Sequence, residues 1–212
     1  MGQSDSSMVA VVRLRHRRRS RDWEDSLRHD LDDLLGLADQ VKSEMCLVGG
    51  VGLAVRGEEF RRNHSDFDLA VFLSDLPEVV ASFEGAGYGL HAASAGFCLS
   101  PWHRVDLLRK VTVPAVVANP DRFCLRLVRS DDENSMMYYR KRTDVMDLLI
   151  MDFVSEGILL HGYDRVVPNS DFFPLARYSD SRYLRLPNVR YKTHLPAAWP
   201  RQRKDLTQAG LR

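Results

Sequence analysis

The apolar positions of this chain change period along its length, and each change marks an element. Between Asp22 and Glu44, Leu27, Leu31, Leu34, Leu35, Ala38 and Val41 recur at helical spacing. Acidic residues cluster early in that stretch, where a helix dipole favours them. The run "MCLVGG" from Met45 reads as a short buried strand stopped by a glycine turn, and "VGLAVRG" as a short helix ending at Gly57. A hydrophilic loop, "RRNHSD", then leads into a strand over about Phe67–Leu73. The segment "SDLPEVVASFEGAGY" is helical: Ser74 or Asp75 can cap it, Pro77 suits its first turn, and Gly85 and Gly87 mark its end. The predicted order is helix, strand, short helix, loop, strand, helix.

Periodicity is weaker further on. "GFCLSPWHRVDLL" reads as two short strands around a Pro-Trp-His turn, and "FCLRLV" alternates as a strand does. "RKVTVPAVVANPDRF", with two prolines, yields no assignment. "MMYYRKRTDVMDLLIMDF" reads as a hairpin turning near Arg142–Asp144, with a strongly apolar second strand. Beyond Gly162 the chain is rich in Pro, Asn, Tyr and Arg. That end is expected to be irregular, lying over the core, with a short helix near Arg190–Leu195.

Composition narrows the class. At 212 residues and 44% apolar content, the chain suits one sizeable α/β domain with a small appendage. Lys plus Arg is 30 and Asp plus Glu is 29, a balance that argues against a surface built for nucleic acid. No apolar stretch approaches the ~20 residues of a membrane span, and the N-terminus lacks the apolar core of a secretory signal. Cys46, Cys98 and Cys124 show no CxxC pairing, which reads as reduced thiols in a cytoplasmic protein. The basic run Arg13–Arg21 is expected to be a disordered tail.

The chemistry concentrates around two glycines and two aspartates. Asp66 and Asp68 are two residues apart at a strand mouth, so alternation points them to one face while Phe67 and Leu69 face the core. Adjacent carboxylates repel and lose hydration, and a divalent cation such as Mg²⁺ (or Mn²⁺) compensates both while taking phosphate oxygens. Gly49 and Gly50 end one strand and open a short helix, where bare backbone N–H groups can meet a phosphate. The carboxylates follow about sixteen residues later, giving a phosphate cradle facing a metal holder. A solvated strand end and an ordinary glycine turn are the bland alternatives.

"LVGGVGLAVRGEEFRRNHSDFDLAVF" resembles the signature of the nucleotidyltransferase superfamily, a GG or GS followed by DxD, over about Met45 to Tyr88. The resemblance implies an α/β (α+β) fold with a mixed sheet flanked by helices. It implies Asp66 and Asp68 as metal ligands and a third carboxylate on a later, neighbouring strand. Asp106 in "HRVDLL" and Asp147 in "DVMDLLIMDF" both fit that third place, and Asp147 is preferred for its longer, more apolar strand. On that choice, the core spans residues 22–160 with an insertion over about 90–135. Residues 1–21 are then the tail, and 161–212 an extension packed on the core.

Two branches of the superfamily compete. The "GG" and "H-x-D-x-D" of His64–Asp68 resemble the lincosamide and aminoglycoside nucleotidyltransferases, which move a nucleotide from an NTP to a drug hydroxyl. "DFDLAVF", "MDLLIM" and the tail "FFPLARYSDSRYLRLPNVRYKTHLPAAWP" are similar to the LicD/fukutin family, which transfers from a CDP-activated donor to a glycan. The latter is slightly favoured, with a sugar, polyol or glycoside as acceptor. The GG in place of Gly-Thr or Ser-Gly, and the missing YG before the tail tryptophan, depart from it. Arg56, Arg61 and Arg62, and Lys192, Arg203 and Lys204 from the tail, are the candidate phosphate-binding cations. A non-catalytic nucleotide-binding protein is the rival from another class. Oligomeric state is not encoded in any of these patterns.

Overall fold

The computed structural model describes residues 5–56, 64, 66–94, 108–129, 142–163 and 165–194, without the side chains of 5–21, 93, 94 and 189. Its elements are α1 (Asp5–Val41), β1 (Met45–Val48), α2 (Gly49–Arg56), β2 (Phe67–Phe72), α3 (Leu76–Gly85), β3 (Tyr88–Ser94), β4 (Arg109–Lys110), α4 (Val113–Ala118), β5 (Phe123–Arg129), β6 (Val145–Val154), β7 (Gly157–Leu160), β8 (Arg165–Pro168), α5 (Asn169–Phe172), β9 (Ala176–Arg177) and β10 (Leu184–Leu186). Short 3₁₀ turns cover Pro120–Arg122 and Val189–His194. The strands form one mixed sheet in the order β4-β3-β5-β6-β2-β1-β10-β9, and β7 and β8 extend from β6. The chain is thus α+β, with a largely open mixed sheet flanked by helices.

Alternation along β2 divides the molecule into two layers. Phe67, Leu69 and Val71 are fully buried against the leucine stripe of α1 and the Leu76, Val79, Val80 and Phe83 face of α3. On the opposite face Ala70 packs with Cys46 and Val48 of β1, Met151 of β6, Phe172 of α5 and Tyr191. The helical layer therefore covers one face, and chain beyond β6 covers the other. Asp66 and Asp68 fall toward the second layer.

Several expectations need correction. The basic run lies within α1, which begins at Asp5. Described residues from the expected 90–135 insertion supply β4 and β5, and β5 pairs with β6 through Leu125–Val128, so this part belongs to the sheet itself. The end of the chain is more regular than expected: β10 pairs in parallel with β1, and β9 follows it at the edge. Strands of two or three residues carry too little alternation to be read in sequence. Asp75 sits at the N-cap of α3 without a side-chain cap bond, and Ser74 Oγ donates instead to Asp75 Oδ1 (3.0 Å). The cysteines differ too. Cys124 is disulfide-bonded, so the cysteines are not the wholly reduced set expected. Cys46 is a free thiol pushed up to about 12 by burial. Among the described residues no helix is long and apolar enough to cross a membrane.

One buried ion pair joins the helical layer to the sheet. Arg142, just ahead of β6, donates to Asp30 of α1, to Ser26 Oγ (3.3 Å) and, through Nε, to the carbonyl of His64 (2.6 Å). Arg142 and Asp30 side chains are only 11% and 6% exposed, so solvent screens the pair little. Removing the cation leaves Asp30 buried and uncompensated. Arg142→Met is expected to lower the unfolding free energy by about 3–5 kcal/mol in chemical denaturation. Adding Asp30→Leu should recover part of that loss, because an apolar pair carries no desolvation debt.

Candidate functional site

The turn from β1 into α2 is built around Gly49. Its φ of 65° lies in the left-handed region that favours glycine. A Cβ there would sit 1.7 Å from Asp68 Oδ2, so the Asp68 carboxylate rests directly on the Gly49 backbone. The pairing Val48↔Asp68 between β1 and β2 produces this contact. The Gly49 N–H donates to the Tyr191 hydroxyl at 2.8 Å. A group expected to meet a phosphate is therefore engaged by the protein's own tail.

Asp68 lies in register with Asp147 across the parallel pair β2–β6, Asp147 with Arg126 across β6–β5, and Arg126 with His91 across β5–β3. Partners in register share a face, and adjacent strands are about 4.8 Å apart. A polar row thus crosses the sheet, carboxylates toward β1 and cationic or titratable groups toward β4. Arg126 Nε donates to Asp147 Oδ1 at 2.7 Å, and the Arg126 side chain is 7% exposed against 27% for Asp147. Asp66 lies one residue before β2 and is half-buried.

Two tyrosines that sequence reasoning missed border the carboxylates. Tyr163 is pushed up to about 12, first by burial and then by the charges of Asp68 and Asp147. Tyr191 is also raised, by burial and then by Asp68, with the Gly49 N–H opposing. Both phenols are neutral at ordinary pH. They belong to a Tyr-rich end that looked irregular in sequence, and no local spacing ties them to the DxD.

The other candidates divide. Lys192 follows Tyr191, is buried, and holds its ammonium 5.9 Å from the Tyr191 ring centroid. Gly50 lies in the first turn of α2. Arg56 ends that helix, about 10 Å along the axis from Gly49 at 1.5 Å per residue. The structure does not bring Arg56 to the carboxylates. Arg61, Arg62, Asp106, Arg203 and Lys204 lie outside the described residues.

The donors gathered here are hard carboxylate oxygens on one sheet face, a set that suits Mg²⁺ or Mn²⁺. Among the described residues, however, no group of three or more His, Cys, Asp or Glu side chains is arranged to hold a metal ion. One oxygen of the third carboxylate, Asp147, is taken by Arg126. No family model, curated protein or solved structure matches this chain. The site is therefore defined by its own geometry: an acidic pair in register on adjacent strands, seated against a glycine turn and neutralised in part by a buried guanidinium.

Two outcomes follow. Gly49→Ala combines left-handed strain with overlap onto Asp68, and is expected to cost about 2–4 kcal/mol of unfolding free energy. In metal-free buffer, an alkaline titration of tyrosinate absorbance should show Tyr163 ionising near pH 12, above the ordinary value of 10. Because the folded-state value is raised, stability from the neutral phenol is whole below pH 10 and is lost as pH rises toward 12. Asp68→Asn removes a charge acting on both phenols, so Tyr163 and Tyr191 should ionise at lower pH, with Tyr→Phe variants giving the assignment. An unchanged titration in Asp68→Asn would contradict the placement of these tyrosines beside the carboxylate.

Proposed function

We propose that the chain is a metal-dependent transferase of the nucleotidyltransferase type. It moves a phosphorus-containing group from a nucleotide donor to a hydroxyl of a sugar, polyol or glycoside. The observation that carries this reading is the register Asp68↔Asp147, which sets the preferred third carboxylate beside the DxD pair. The glycine turn in contact with Asp68 supports it.

Asp66 and Asp68, with Asp147 beside them, are the residues that would hold Mg²⁺ or Mn²⁺. The bound ion would supply charge neutralisation at the transferring phosphoryl group. Arg126 fixes the Asp147 carboxylate in place. The neutral Tyr163 phenol stands close enough to Asp68 and Asp147 for their charges to raise its pKa. A CDP-linked donor, as in LicD/fukutin-type phosphotransfer, is slightly preferred over an NTP on the likeness of "DFDLAVF", "MDLLIM" and the tail to that family. In the antibiotic-type alternative the donor is an NTP.

A second reading has its own observation. Arg126 neutralises Asp147, and no three-ligand group stands among the described residues, which suits a nucleotide-binding protein without turnover.

Incubation with ATP, CTP and CDP-linked donors plus a polyol or glycoside, with and without Mg²⁺, should release a nucleotide product only with the metal. Asp66→Asn with Asp68→Asn should reduce the rate by roughly 10²–10³-fold or more, the scale of losing electrostatic stabilisation of a transferring group. Asp147→Asn should also reduce it, whereas full activity there would return the third place to Asp106. Nucleotide binding with no product from any donor would favour the non-catalytic reading.

A further inference from the structure

The arginines in the first half of α1 have no place in the polar row of the sheet. Positions 13, 15, 17, 18, 19 and 21 are Arg, position 16 is His, and no acidic residue falls among them. The chain as a whole is balanced, with 30 Lys plus Arg against 29 Asp plus Glu, so its surface is not charged for nucleic acid throughout. That balance conceals a segregation. The first 21 residues hold six Arg and a single acid, Asp5, so the remainder of the chain is net acidic.

The backbone keeps the two kinds of charge apart. α1 runs without a break from Asp5 to Val41. Trp23 is the first of its described side chains to pack against the core, and Leu27 the first to be fully buried there. At 1.5 Å per residue, the stretch from Asp5 to Asp22 carries the helix about 27 Å along its axis ahead of that contact. Asp22, Asp25 and Asp32 are exposed on the half that follows, and Arg28 there is paired with Glu24.

Six like charges within nine residues call for counter-charge. Arg13 and Arg17, Arg15 and Arg19, and Arg17 and Arg21 stand four positions apart, a spacing at which like charges destabilise a helix. A polyanion relieves that repulsion. Nine residues of helix span about 13 Å, over which duplex DNA carries about eight negative charges. Six arginines on that length are close to the same density. All six are Arg and none is Lys, and a guanidinium fork takes two phosphate oxygens at once. Leu14 is the one apolar residue of the run, which therefore lacks the apolar stripe that lays a helix on a lipid surface.

We infer that the segment Arg13–Arg21 binds the phosphate backbone of a nucleic-acid duplex. The net acidic remainder of the chain confines the contact to that segment. Phosphate contacts carry no base information, so binding is independent of sequence. The inference goes beyond the transferase reading and stands or falls separately from it.

The test titrates the full chain against fluorescein-labelled duplexes of DNA and of RNA, each in two unrelated sequences of about 20 base pairs, by anisotropy at rising NaCl. Six phosphate contacts predict that the Kd for DNA rises by about 10³-fold from roughly 50 to 200 mM salt, alike for both sequences. Arg17→Gln combined with Arg18→Gln and Arg19→Gln should cut that rise to about 40-fold, the value for three contacts. Gln keeps helix propensity and these positions precede the core-packed half of α1, so circular dichroism should match the wild type. A preference for RNA with the same salt dependence supports the same phosphate chemistry. Absence of duplex binding at the lowest salt would overturn the inference, and so would a triple variant whose Kd and salt dependence equal those of the wild type. Binding to phosphatidylserine vesicles without duplex binding would overturn it in favour of a membrane surface. A salt-sensitive dimer in sedimentation, again without duplex binding, would overturn it in favour of the acidic half of α1 in a second copy.

Discussion

Two like charges on neighbouring strands set the terms for everything around them. Asp68 and Asp147 are in register on β2 and β6, and both strands are central in the sheet. Carboxylates so placed repel each other and lose water, so the fold must supply compensation. It does so from one side through Arg126 on β5. The two neutral phenols answer the same field, since both are raised in part by Asp68. Asp68 itself has room only because Gly49 has no side chain. The glycine turn, the arginine and the tyrosines are therefore consequences of a single arrangement.

The rigidity of that arrangement comes from the opposite layer. Phe67, Leu69 and Val71 are buried beneath α1 and α3, which fixes the rotation of β2 and hence the face on which Asp68 emerges. A one-residue slip would exchange Phe67 for Asp68 and put a carboxylate into the leucine core. Arg142 reinforces the same register from the end of the sheet. It ties α1 to the start of β6 and to His64, two residues before Asp66. The segments bearing all three aspartates are thus referred to one buried cation as well as to a common hydrophobic layer.

What could be read in the sequence was local. The β1–glycine–α2 turn, the DxD strand and α3 each announce themselves within a dozen residues, by a change of period or a turn residue. Preference for Asp147 also came from local pattern, a lone Asp in a long apolar strand. The rest depends on pairing between distant segments. Nothing in "FCLRLV" indicates that Arg126 faces Asp147, because the antiparallel register is set by the whole sheet. Tyr191 meets Gly49 across 142 positions of chain, beyond the reach of any spacing rule. The edge strands β9 and β10 are two and three residues long and borrow their conformation from β1. The disulfide at Cys124 has no spacing signature either.

The tail occupies part of the glycine turn. A glycine turn facing a carboxylate strand would ordinarily leave the first N–H groups of the helix open to an anion. Here Tyr191 takes one of them, while burial and the nearby Asp68 charge keep its hydroxyl neutral against the opposing pull of that N–H. Positive potential near the turn is thereby lowered. Among the described residues of the sheet, Arg126 is the cation in register with Asp147, two strands away from Asp68. The polar row therefore has a direction: acidic groups lie at the glycine turn, and cationic ones follow across β5, β3 and β4 through Arg126, His91 and Lys110.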